Sequence, residues 1–180
     1  KLDDEYEDLD GAYTLGLNNP WYHEMKELGF HYRITDFQCA LVNSQLNKIE
    51  KFIKKRRKLA KRYDEAFKNN DVIRPLLQTK DNLSSLHIYI IKINFDKITL
   101  TKPEFMYKLF NKGIGSQVHY IPVTEHPFYK KKNYKTQDFP HSLNYYKNCL
   151  TIPLFFSLDF KTQNYIIRIL LNIIDEHRIK

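Results

Sequence analysis

The chain has 180 residues, 42% of them hydrophobic, with a formal net charge of +8 and two cysteines. That length fits one domain with a leading tail. No run approaches the roughly 18 apolar residues of a membrane span, and Cys39 and Cys149 are too few and too widely spaced for a disulfide framework or a metal site. Free thiols point to a reducing compartment, the cytoplasm. The acidic start, KLDDEYEDLDGAY, has no apolar signal core, and a first residue that is Lys rather than Met reads as a fragment or a processed chain.

In chain order, residues 1–20 pass from acidic to polar and close on Asn18-Asn19-Pro20, an irregular lead-in. Thr35, with Gln38 three residues on, forms a capping-box pattern that predicts a helix from Asp36 to Phe67. Leu46, Ile49, Ile53, Ala60, Tyr63 and Phe67 recur in steps of three, four or seven and mark one apolar face. Lys48, Lys51, Lys54, Lys55, Lys58, Lys61 and Arg62 fall mainly elsewhere, and Asn69-Asn70 ends the helix.

Residues 86–95 are β-branched and aromatic and predict a buried strand. Thr101 and Glu104 repeat the capping box and open a second helix to Asn111, with Gly113 as its left-handed stop. A strand over 114–120 ends at Pro122. Ser142–Leu150 reads as a short helix, Thr151–Phe155 as an extended piece, and Thr162–His177 as a closing helix with Ile166, Ile169, Leu170 and Ile173 on one face. Helices alternating with a few strands make an α/β or α+β layer domain.

The block Leu28-Gly29-Phe30-His31-Tyr32-Arg33-Ile34-Thr35-Asp36, with Ala40-Leu41, Gln45-Leu46, Arg56-Arg57 and Tyr63 after it, carries a resemblance. So do Ser85-Leu86-His87-Ile88-Tyr89, the Lys112–Val123 stretch containing His119-Tyr120-Ile121-Pro122, and Leu150-Thr151-Ile152-Pro153-Leu154. Four such blocks in one order resemble the DegT/DnrJ/EryC1/StrS sugar-nucleotide aminotransferases. Trp21-Tyr22-His23-Glu24-Met25 and Gln117-Val118-His119-Tyr120 look most like those of pseudaminic-acid biosynthesis.

The resemblance implies a fold-type I pyridoxal-phosphate (PLP) transferase. Residues 1–20 then lead in from its large domain, and residues 21–180 form a long linking helix plus the C-terminal small domain. It implies amination of a UDP-linked 4-keto-6-deoxy-N-acetylhexosamine with glutamate as donor, and a homodimer. In the family the cofactor is held by a lysine in an S-x-H-x-x-K stretch, which nothing in this sequence matches. Transamination needs that amine, so the chain by itself is expected to be inactive, with no catalytic residue of its own.

Four positions carry site expectations from the resemblance. His31 stands where the family has an Asn that reaches the cofactor phosphate of the other subunit, and Arg33 suits an anion because its planar fork can hold a phosphate. Both are taken as cofactor-binding, against a loop histidine and an ion pair of Arg33 with Asp36. His119 and Tyr120 are taken as substrate-binding, against a partly buried strand-end pair. Tyr32 reads as a packed aromatic, His87 as structural, Arg56-Arg57 as a solvated or ion-paired face and Phe155-Phe156 as core. Glu125, His126 and His141 show no metal-ligand spacing.

Two other readings stay open. His31, and Val42 where the family usually has Gly, are compatible with a non-catalytic truncated remnant. The basic 48–62 helix allows a module for nucleic acid or an anionic surface, disfavoured because no nucleic-acid motif accompanies the charge. A small domain separated from a large domain and a dimer partner is also expected to self-associate through exposed apolar surface.

Overall fold

The computed structural model describes residues 13–15, 17–18, 25, 27–30, 32–79 and 81–179. The chain divides into two units, Lys1–Ser44 and Gln45–Lys180. Of the lead-in expected over 1–20, residues 1–12, 16, 19 and 20 lie outside the described residues, as does His31.

In the first unit, β1 (Tyr13–Thr14) and β2 (Leu17–Asn18) pair antiparallel, so the lead-in is not wholly irregular. Helix α1 (Asp36–Leu46) starts at the expected cap. The Thr35 N–H donates to Gln38 Oε1 at 2.9 Å, and the Gln38 N–H donates to Thr35 Oγ1 at 3.3 Å. None of its residues is buried, and Phe37, Leu41 and Val42 face outward. Tyr32, expected to pack, is 86% exposed, its ring tilted against that of Phe30 at 6.0 Å. Around it, residues 27–30 and 32–38 are all exposed.

The helix expected over 36–67 is two helices. The Lys48 N–H turns back to the Gln45 carbonyl at 2.9 Å, and α2 (Ile49–Phe67) restarts beyond it. Asn47 sits at the break, a residue type that competes poorly in helix interiors. The α2 face holds where it meets the sheet: Leu59, Ala60, Tyr63 and Phe67 are buried, Ile53 is half-buried, and Leu46 and Ile49 are exposed.

The second unit is built on a three-stranded antiparallel sheet in the order β3 (Ile73–Pro75), β4 (Tyr89–Ile93), β5 (Cys149–Ile152). The sequence pattern gave no sign of β3. The Asn70 side chain starts it by accepting from the Val72 and Ile73 N–H groups at 2.9 and 2.8 Å. The strand predicted over 86–95 is trimmed at both ends. Leu86 has a positive φ of 51°, and Asn94 Oδ1 accepts from the Asp96 N–H to open a 3-10 turn.

Helix α3 (Lys102–Asn111) has its full capping box, and Gly113 closes it at φ +73°. The short helix α4 is Pro127–Lys130. Helix α5 (Pro140–Asn148) starts earlier than predicted because Pro140 suits a first turn, and it ends where Cys149 enters β5. Helix α6 (Phe160–His177) also starts earlier, with Asp159 as N-cap accepting from the Thr162 N–H at 2.7 Å. Ile91 and Ile93, Phe105 and Leu109, Leu150 and Ile152, and Ile166 and Leu170 join the α2 residues in one core. Each such side chain contributes about 1.5–3 kcal/mol by leaving water.

The 114–120 strand does not form. Its backbone makes a single antiparallel bridge, Gln117 to Thr151, and the Val118 N–H, which points away from β5, is taken by the Gln117 side chain at 2.9 Å. Phe155 is 46% exposed rather than core, and Phe156 is half-buried against the edge of Phe52 at 4.6 Å. Among the described residues no helix is long and apolar enough to cross a membrane.

Candidate functional site

Thr151 sits within β5, paired to Ile90 of β4 on one side and bridged to Gln117 on the other. Two backbone hydrogen bonds close that bridge, Gln117 N–H to Thr151 O at 3.1 Å and Thr151 N–H to Gln117 O at 2.8 Å. Two residues further on, His119 Nδ1 lies 2.8 Å from Thr151 Oγ1. Tyr120 follows at an edge-to-face ring separation of 4.7 Å, through a cis peptide bond. His119 is half-buried and Tyr120 is 73% exposed.

Beside this pair a shallow cleft of about 290 Å³ opens between His87, Ser116, Gln117, Thr151 and Pro153. Thr151 both borders the cleft and holds the His119 ring. His87, read as structural, is exposed on the cleft wall. The back of the site is fixed by α2: the buried Tyr63 hydroxyl donates to the Pro153 carbonyl at 2.9 Å, and the Tyr89 hydroxyl donates to Asp64 at 2.6 Å. Burial pushes the Tyr63 and Tyr89 phenols far above their ordinary range, with Asp64 adding to the shift at Tyr89, so both are neutral anchors. The Thr151 contact was missed in the sequence because nothing in it marks which residue faces His119 across 32 positions.

The other expected residues have different settings. Arg33 is exposed, and no ion pair joins it to Asp36 among the described residues. Arg57, read as a solvated or ion-paired face, instead grips the loop before β4 by donating to the Leu83 and Ser84 carbonyls at 2.8 and 3.0 Å. Arg62 lies over the Phe160 ring at 4.5 Å and donates to Gln163 and Asn164. Lys102 is half-buried, donates to the Tyr146 carbonyl and lies 4.5 Å over the Tyr146 ring; burial lowers its pKa. Burial raises the pKa of the Cys149 thiol, which makes it a poor nucleophile. Glu125 pairs with Lys130 at 2.6 Å, and among the described residues no cluster of His, Cys, Asp and Glu could hold a metal.

A layer domain that ends an antiparallel sheet on a histidine–threonine pair and a shallow cleft has the features of a ligand-binding part of an enzyme rather than a self-contained catalytic centre. Residues 11–171 match the DegT/DnrJ/EryC1/StrS aminotransferase family, and the chain belongs to it. It is 35% identical over 144 residues to the spore coat polysaccharide biosynthesis protein SpsC of Bacillus subtilis, covering 78% of this chain and 37% of that protein. It is 34% identical over 158 residues to the UDP-4-amino-4,6-dideoxy-N-acetyl-beta-L-altrosamine transaminase of Campylobacter jejuni, covering 87% of this chain and 41% of that enzyme. The fold superposes on PseC of Helicobacter pylori, an aminotransferase of pseudoaminic acid biosynthesis, with a TM-score of 0.78 at 27% identity, over 89% of this chain and 43% of that one. The chain thus spans about two fifths of the length of these relatives.

Enzymes of this family depend on pyridoxal phosphate. The described residues do not assemble a site for it. Arg33 has the right chemistry for its phosphate, but the cleft at Thr151 is lined by neither lysine nor carboxylate, and Lys102 is engaged by Tyr146.

Proposed function

We propose that this chain is the C-terminal portion of a PLP-dependent aminotransferase that aminates a UDP-linked 4-keto-6-deoxy-N-acetylhexosamine with glutamate, in pseudaminic-acid-type surface-sugar biosynthesis in the cytoplasm. The observation that carries the reading is the likeness over 87% of the chain to a transaminase named for such a sugar. The cofactor, when bound, supplies the electron sink for moving the amino group. In this reading its lysine comes from a segment upstream of these residues, and His31 and Arg33 meet its phosphate across a homodimer.

What this chain contributes is binding and orientation. His119 and Tyr120 contact the sugar nucleotide, one through a ring N–H or lone pair and the other through an exposed phenol and ring face. The bridge between Gln117 and Thr151 keeps that segment at a fixed height on the sheet.

The test is a chimera that joins the upstream part of the Campylobacter jejuni relative to this chain. The isolated 180-residue chain should show neither the visible absorption band of lysine-bound PLP nor turnover with the keto-sugar and glutamate. The chimera should show both. A folded, PLP-loaded chimera with no turnover, or robust turnover by the isolated chain, refutes the proposal.

A further inference from the structure

We propose that Thr151 is a positioning residue that holds His119 as the neutral tautomer protonated on Nε2, so that the ring presents an N–H donor to an acceptor oxygen of the bound sugar nucleotide. This rests on the reading of His119 as a substrate contact and deepens it. The proposal starts from one contact, His119 Nδ1 to Thr151 Oγ1 at 2.8 Å. Either group can supply the hydrogen, and the surroundings decide between them.

If Nδ1–H donated, the threonine hydroxyl would have to place its own hydrogen elsewhere. Thr151 is 9% exposed, and among the described residues its Oγ1 has no other hydrogen-bond partner. Its hydrogen would then find no protein acceptor among the described residues. If the hydroxyl donates to Nδ1, only acceptor lone pairs are under-used, a much milder fault. A donor without a protein acceptor costs more than an under-used lone pair, which favours the second arrangement. The proton of the neutral ring is then on Nε2, which has no partner among the described residues.

The geometry is also hard to slip. Thr151 is held by β4 and by both Gln117 backbone hydrogen bonds, and His119 is only two residues beyond the same bridge. Hydroxyl and imidazole are thus fixed by one backbone bridge, as a tautomer-setting partner requires. An N–H donor selects ligands by oxygen: a diphosphate, a ring hydroxyl or a keto group meets it, and an ammonium does not.

The experiment is a long-range ¹H–¹⁵N correlation spectrum of the 180-residue chain labelled with ¹⁵N-histidine, at a pH where the ring is neutral. The His119 signals are identified by their loss in His119→Gln. The expected wild-type pattern is a single tautomer with a protonated Nε2 and an unprotonated Nδ1. Thr151→Val, which keeps the shape and removes the donor, should give an exchanging mixture, and Thr151→Ser should restore the wild-type pattern. A wild-type ring protonated on Nδ1 overturns the proposal, and so does a folded Thr151→Val chain with an unchanged spectrum. Should Thr151→Val not fold, the wild-type and Thr151→Ser spectra still decide. None of these readouts needs cofactor or turnover, so they separate this inference from the aminotransferase reading. In an active chimera, Thr151→Val is expected to raise KM for the keto-sugar about tenfold with a smaller effect on kcat.

Discussion

Tyr63 joins the core of the second unit to the strand that carries the candidate site, and its two roles can be separated by substitution. Its ring is 0% exposed, parallel to Phe67 at 5.9 Å and tilted against Tyr89 at 4.9 Å. Its hydroxyl donates to the Pro153 carbonyl at 2.9 Å. Tyr63→Phe removes the hydrogen bond and leaves the ring. Pro153 is half-buried, so water can reach part of the vacated carbonyl. The cost is then that of a hydrogen bond with partial rehydration, about 1–1.5 kcal/mol. Tyr63→Ala removes the ring as well and opens a cavity, at about 3–5 kcal/mol. At roughly 2–4 °C per kcal/mol for a chain of this size, Phe should lower Tm by about 2–6 °C and Ala by about 6–20 °C. Urea denaturation with an unchanged m-value, together with a thermal scan, measures both. Equal losses for the two variants would refute the idea that the ring carries most of the energy. A loss under about 1 kcal/mol for Ala would refute the burial itself.

Gly113 adopts φ +73° with open space around the position of a Cβ, whereas Gly115 is equally open without the positive φ. Gly113→Ala should therefore cost about 1–2 kcal/mol through backbone strain alone, and Gly115→Ala should be nearly neutral by the same denaturation assay. Hydrogen bonds from Lys97 and then Arg178 hold the Asp71 carboxyl well below the usual carboxylate range. A lowered native value stabilises the fold fully above the unfolded-state value of about 3.9, and that contribution is lost as pH falls below it. The stability gap between wild type and Asp71→Asn in urea should accordingly be widest at neutral pH and shrink towards pH 3. An identical gap at pH 3 and pH 6 would contradict the assignment.

The local events were legible in the sequence, because their causes lie within a few residues. Both capping boxes, at Thr35 and Thr101, formed as read, and Gly113 took the left-handed stop that ends α3. The buried faces of α2 and α6 followed their periodicity, and the four ordered blocks were enough to reach the family. The tertiary structure alone decided what depends on partners distant in the chain. The 114–120 segment has strand-forming residues, yet a single bridge to Thr151 is all the sheet edge gives it. Strand β3 has no alternating pattern and exists because β4 pairs with it. Leu46 and Ile49 continue the apolar spacing of α2 but face no core, so spacing alone overstated the buried stripe. The contact between His119 and Thr151 belongs to the same class. A hydrogen bond across 32 positions leaves no trace in local propensity, because register is set by the whole sheet.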